Sequence, residues 1–126
     1  MNDDIQQALK QDHTDHDRTI DITTSGRKTG LPRRTEIWFH NLDGRIYITG
    51  TPGHRDWLAN LLANPEFTFH LKSNVQADLP ARARPIMDSK ERREVMSGII
   101  GKLEGDRDLD EWVQSSPLVE VEFQVE

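Results

Sequence analysis

Thr19-Ile20-Asp21-Ile22-Thr23-Thr24-Ser25-Gly26-Arg27-Lys28-Thr29-Gly30-Leu31-Pro32-Arg33-Arg34-Thr35 is the stretch on which the fold reading turns. Ile20 and Ile22 alternate with Asp21 and Thr23, the period of two that marks a half-buried strand. Gly26 ends that period, and two glycines and a proline between Gly26 and Pro32 predict a turn-rich connection. The β-branched and aromatic residues of Thr35 to Leu42 predict a second strand. Asn41-Leu42-Asp43-Gly44 then closes a hairpin, because Asp-Gly readily takes the positive φ values of tight turns, and Arg45 to Thr49 follows as a third strand.

Downstream, Gly50-Thr51-Pro52-Gly53 breaks the sheet, and Trp57, Leu58, Leu61 and Leu62 share a helical face up to Asn64-Pro65. Phe67, Phe69 and Leu71 alternate as a fourth strand. Ala77 to Arg84 reads as a fifth, joined to it through Lys72 to Gln76. Asp88 with Glu91 three residues on has the pattern of a capping box, opening a helix with the face Val95, Met96, Ile99, Ile100 and Leu103 and a stop at Gly105. A helical turn at Leu109 to Val113 leads to a last strand in which Val119, Val121, Phe123 and Val125 alternate with polar residues before Glu126. Upstream, the first seventeen residues carry five Asp against one Lys, and only Ile5, Ala8 and Leu9 offer an apolar stripe. Residues 1–17 therefore read as a flexible acidic N-terminal segment with a short helix, and 18–126 as one domain. The class is mainly β (α+β): six antiparallel strands closed as a small barrel with flanking helices, or a two-layer sandwich, which strand patterns alone do not separate.

The chain has 126 residues, room for one core. No apolar run approaches the ~18 residues of a membrane span, so no integral span is expected. The acidic start Met1-Asn2-Asp3-Asp4 lacks the basic and apolar regions of a signal peptide, which makes a cytoplasmic location the expectation. There is no cysteine, so disulfides, thiol nucleophiles and Cys-type metal sites are excluded and redox chemistry would need a bound cofactor. A net charge of −6 argues against nucleic-acid binding. Arg27, Lys28, Arg33 and Arg34 nevertheless form an island without an acid among them, while the rest of the chain carries 12 basic against 22 acidic residues. Such an island suits a small anionic ligand, since the surrounding acids confine the favourable potential to one place.

Two segments could carry chemistry. Thr23 to Arg34 combines glycines, which admit close backbone approach, with three guanidinium groups and an ammonium that suit phosphate or carboxylate. A solvated basic turn is the plain alternative, and a P-loop is excluded because Gly-Lys-Ser/Thr at the required spacing is absent. Thr49-Gly50-Thr51-Pro52-Gly53-His54-Arg55-Asp56-Trp57 runs from strand end to helix start, where backbone amides bind anions or ring carbonyl oxygens. On pattern alone, a Gly/Pro turn capped by Asp56 with Trp57 in the core is the better reading of it.

Taken together, the two segments resemble the deazaflavin (F420)-dependent nitroreductase and quinone reductase group of the split β-barrel, flavin-binding-like superfamily. The resemblance runs from about Ile20 to Val125. It rests on Thr23 to Arg33, on Trp57 to Pro65 with Asn60-Leu61 and Ala63-Asn64-Pro65, and on Ala81-Arg82-Ala83 and Glu91-Arg92. It implies a six-stranded split barrel that binds coenzyme F420, whose tail of phosphate and glutamates matches the basic island. By position, Arg27, Lys28, Thr29 and Arg33 would hold the tail, with Arg34 and Thr35 beside them. Thr49, Gly50 and Thr51 would line the ring, and Asp56, Trp57, Leu58 and Asn60 would meet the cofactor at the helix start. The Gly50–Trp57 loop is shorter than in quinone-reducing members and has Pro52 where they have lysine. Their tyrosines before the final strand are matched here by Asp106 and Leu109, so neither a proton donor nor a nitroimidazole substrate carries over.

Among the histidines, His54 lies beside the expected pocket with an ordinary pKa of ~6.5 suited to proton transfer, and it is the candidate catalytic residue. His13-Thr14-Asp15-His16 lacks the third ligand of a zinc site, and no metal is expected. His40, His70 and the single tyrosine, Tyr47, fall in strands and read as structural. The resulting expectation is a cytoplasmic, F420H2-dependent oxidoreductase that passes hydride to a small electron-poor acceptor such as a quinone, nitro or unsaturated carbonyl compound. The alternatives are an FMN-binding split-barrel oxidoreductase and a protein that holds a flavin, deazaflavin or lipid-like ligand without turnover. Split barrels often pair across a cofactor site, which leaves a homodimer open.

Overall fold

The structure is a computed structural model that describes residues 1–10 and 12–124. In chain order the elements are α1 (Asp3–Lys10), α2 (Asp15–Arg18), β1 (Thr19–Ser25), β2 (Pro32–Leu42), β3 (Arg45–Thr49), α3 (Asp56–Ala63), β4 (Glu66–Lys72), β5 (Gln76–Pro85), α4 (Ser89–Gly101), α5 (Leu109–Ser115) and β6 (Leu118–Phe123). The six strands are antiparallel and close into a barrel in the order β1-β2-β3-β6-β5-β4, so the barrel expectation holds over the sandwich. Closure removes the exposed edges that an open sheet of this size would leave.

Alternation builds the interior. Ile20, Ile22, Phe39, Ile46, Ile48, Phe67, Phe69, Leu71, Val119 and Val121 point inward, and Phe69 sits edge-on to both Phe39 and Phe123, with ring centres 5.7 and 5.1 Å away. β3 is buried on both faces, because α4 and α5 cover its outside. Tyr47 there joins Ile86, Val95, Met96, Ile99, Trp112 and Leu118 in a second core, which bears out its structural reading. α4 comes so near the β2–β3 hairpin that a Cβ at Gly98 would stand 3.0 Å from a methyl of Leu42. In the acidic segment of residues 1–17, α1 seats Leu9 against the barrel core and Asp12 is buried.

Several expectations shift in detail. β2 starts at Pro32 rather than Thr35, because Arg33 and Arg34 pair with Thr24 and Thr23 of β1 and extend the ladder past the glycine turn. On α3, Leu62 is 56% exposed while Asn60 is 4% exposed, so the polar residue takes the inward position expected of a leucine. The Asp88 carboxylate accepts the Glu91 N–H as a cap should, but the Glu91 side chain turns to Arg84 instead of back to the cap. α4 ends at Gly101, before Gly105, and α5 extends to Ser115, beyond Val113. Val125 and Glu126 lie outside the described residues.

Candidate functional site

The basic island forms one wall of a cleft of about 650 Å³ between the β1–β2 turn and the first turns of α3. Arg27, Lys28, Thr29, Arg33, Arg34 and Thr35 line it on one side, and Asp56, Trp57 and Asn60 on the other. The turn is held by the Gly26 N–H on the Leu31 carbonyl and the Gly30 N–H on the Gly26 carbonyl, both 2.8 Å. Gly30 has φ +75°, a conformation that favours glycine.

Asn60 positions this loop. Its Nδ2 donates to the Thr24 hydroxyl at 3.1 Å, and its Oδ1 accepts both the backbone N–H and the Nη1 of Arg27, each at 3.1 Å. A buried amide with donor and acceptor both engaged fixes β1, the loop and α3 against one another. The other Arg27 nitrogen, Nη2, reaches the Asp56 carboxylate at 3.5 Å, a long contact on an exposed partner. The His54 hydrogen bond (Nε2 to Oδ1, 3.1 Å) and, after it, the Arg27 charge hold the Asp56 carboxyl below its usual range.

The four cations of the island differ in what they face. Arg34 donates to Asp21 at 2.8 Å, and Lys72 binds the other Asp21 oxygen and Glu36, so the Arg34 charge is compensated from behind. Burial works to raise the Asp21 pKa, but Lys72 and Arg34 outweigh it and keep it low. Lys28 and Arg33 make no ion pair with any carboxylate among the described residues. They are the open positive charges of the cleft.

The remaining expected residues lie elsewhere. The Thr49 hydroxyl is buried and donates to the Pro117 carbonyl at 2.5 Å. The Arg55 guanidinium fills the concavity beside Gly50, coming within 3.3 Å of where a Cβ would stand, and donates to the Thr51 carbonyl and hydroxyl. Thr49, Gly50 and Thr51 are not among the residues that line the basic cleft, and Arg55 packs against the segment that the resemblance assigns to the ring. Leu58 faces a second cleft, of about 700 Å³, with Gly53, Met87, Val113 and Pro117. The His54 side chain is 73% exposed, and its ring hydrogen-bonds the carboxylate of Asp56.

That second cleft also contains Arg92, whose role the Glu91-Arg92 motif did not reveal. Arg92 is partly buried, and its guanidinium donates to three backbone carbonyls, those of Val113 (2.8 Å), Ile86 (2.8 Å) and Ser116 (2.6 Å). A cation at the C-terminal end of α5 meets the negative end of the helix, and burial draws its pKa down from the ordinary guanidinium value. Arg93 beside it pairs with Asp110 at 2.6 Å, so α4 and α5 are stapled at two adjacent positions.

The architecture is that of the split-barrel proteins, here with a cationic cleft at the start of α3. Three solved structures share the fold. The protein Rv2991 from Mycobacterium tuberculosis is 17% identical with a TM-score of 0.74, over 99% of this chain and 82% of its own. The heme storage protein HutZ from Vibrio cholerae is 15% identical with a TM-score of 0.69, over 98% and 89%. An F420 reductase is 13% identical with a TM-score of 0.63, over 86% and 87%. The family profile described as F420H(2)-dependent quinone reductase matches residues 11–99, and the chain belongs to that family. No helix among the described residues is long and apolar enough to cross a membrane.

Proposed function

We propose that the protein is a cytoplasmic oxidoreductase that binds reduced coenzyme F420 and delivers hydride to a small electron-poor acceptor, a quinone, nitro or unsaturated carbonyl compound. The observation that carries this reading is the pair of uncompensated cations, Lys28 and Arg33, in a cleft whose loop is fixed by a fully engaged buried amide. A tail of phosphate and glutamates requires positive charge not already neutralised within the protein, and the donor set fits. Arg27, Lys28, Thr29 and Arg33 would hold the tail, with Arg34 and Thr35 flanking. Arg34 contributes less, because Asp21 already faces it. Asp56, Trp57 and Asn60 form the opposite wall, while Leu58, Met87, Val113 and Pro117 in the second cleft offer an apolar surface for a flat ring.

When bound, the deazaflavin supplies the hydride. The residues of this chain bind its anionic end, keep the α3 turn in place and exclude water from the apolar cleft. His54 stands outside both clefts' linings yet next to Asp56, and it remains the candidate for handling a proton. The test is turnover: reduced F420 should be oxidised faster with protein and a quinone than with the quinone alone. Binding without acceleration would instead make the protein a carrier. An unchanged pH–rate profile in His54→Ala would remove it as proton donor.

A further inference from the structure

A second cationic cleft, of about 440 Å³, lies between α2, the outer face of β2 and the C-terminal end of α4. It shares no lining residue with the first. Trp38 in its wall is four residues beyond Arg34, so a strand rise of ~3.3 Å puts about 13 Å between them along β2.

Arg18 is its unusual member. Only 5% exposed, it packs its guanidinium over the Trp38 ring at 5.4 Å and donates one Nη to the neutral carbonyl of Asp12 at 2.8 Å. Its Nε is buried without a partner among the described residues. Nearby, His40 is 2% exposed and its Nδ1 is likewise without a partner there. Across the opening, Arg107 donates to the carbonyls of Glu104 and Gly105 and stacks its guanidinium over the Trp112 ring at 5.7 Å, with no carboxylate on it among the described residues. The available carboxylates do not answer these charges. Asp12 is engaged by Lys102 and the Asn41 N–H, and Asp15 and Glu104 at the rim make no ion pair with either guanidinium.

Burying a guanidinium without an anion is costly, and buried orphan polar atoms in a folded protein call for a water or ion as their explanation. Two guanidinium groups lining one opening, with a tryptophan as wall and the nearby lysine already neutralised by Asp12, make a receptor for an oxyanion. We propose that this cleft binds a small oxyanion, a carboxylate or phosphoryl group carried on a small molecule, between Arg18 and Arg107 and independently of the first cleft.

The test is a titration of the full chain followed by amide NMR, with inorganic phosphate in one arm, acetate in another, and chloride at matched ionic strength as control. It is run in the Arg33→Glu protein, which weakens anion binding at the first cleft. Saturable shifts are expected at residues 13–18, 38–40 and 102–107, with phosphate against acetate reporting which oxyanion is preferred. Arg107→Glu should weaken binding by about tenfold or more, as loss of a charge-assisted contact does. Arg18→Met removes the buried cation. Should that variant not fold, Arg107→Glu decides alone, because its side chain lies in a surface loop. Shifts that chloride reproduces, shifts unchanged in Arg107→Glu, or shifts confined to residues 26–34 would each overturn the proposal.

Discussion

Asn60 shows how one side chain can hold a cationic loop in a fixed place. Its amide satisfies Thr24 within β1 and two donors of Arg27 in the loop. Asn60→Leu keeps the approximate volume but leaves the Thr24 hydroxyl and the Arg27 N–H without their partner. The expected cost is about 1–3 kcal/mol in urea unfolding. Binding of full-length cofactor should weaken beyond that of the tailless ring, because the loop that aims Lys28 and Arg33 loses its anchor. Unchanged stability would show that water replaces the amide. The resemblance assigned Asn60 to the helix start that would meet a cofactor, but its role as a side-chain anchor was not legible, since a polar residue on an apolar stripe does not reveal which strand it will meet. Nor could charge counting separate Arg34 from Arg33. The separation comes from Asp21 and Lys72, which only the pairing of β1 with β2 and β4 brings behind Arg34.

At the scale of elements, the strands were readable because period-two alternation reports which face is inward, and the barrel interior is filled by those residues. Boundaries were less legible where pairing overrides local composition. β2 begins at a proline because the ladder to β1 is complete there, and Leu62 is displaced from the helix face because Asn60 is recruited inward by Thr24. The α4–α5 pair is tied together by Arg92, which the resemblance included as Glu91-Arg92 without indicating this structural role. Arg92→Leu would leave the carbonyls of Ile86, Val113 and Ser116 without their charged donor and is expected to destabilise the fold by roughly 2–4 kcal/mol. Chemical denaturation measures this, and Arg92→Lys should recover only part, since a single ammonium lacks the planar spread of a guanidinium. A loss below half a kcal/mol would mean that the apolar contacts of Val95, Met96, Ile99 and Trp112 hold the pair unaided.

For the whole molecule, stability and function draw on different charges. His40 lies outside the barrel under α4, facing Arg18, Asp12 and Lys102. Burial first, and then the Arg18 charge, lowers its pKa to about 4. The unfolded chain, with the ordinary value near 6.5, binds this proton more readily than the native state. The His40 contribution is therefore fully present above pH ~6.5 and is lost as pH falls toward about 4, a change on the order of 3 kcal/mol. Asp12, Asp21, Asp56, Asp78 and Glu91 all have lowered pKa values, so their contributions are lost as pH falls through and below the ordinary carboxylate range, and the histidine dominates only the upper part of the window, above pH ~5.5. A His40→Gln protein should show a flatter stability profile between pH 6.5 and 4.5, and a slope equal to the parent's would contradict the assignment. The basic cleft is expected to behave in the opposite way, with little effect on folding and a large effect on binding. The most direct measurement is calorimetric titration of the parent, Lys28→Ala and Arg33→Ala with full-length F420 and with its tailless deazaflavin ring, at low and high salt. Each substitution should weaken the full cofactor by roughly 10- to 150-fold, corresponding to about 1.5–3 kcal/mol for a charge-assisted contact. Raised salt should do the same while the tailless ring is nearly unaffected. Equal responses from cofactor and ring would contradict the account and leave Lys28 and Arg33 as part of a solvated turn.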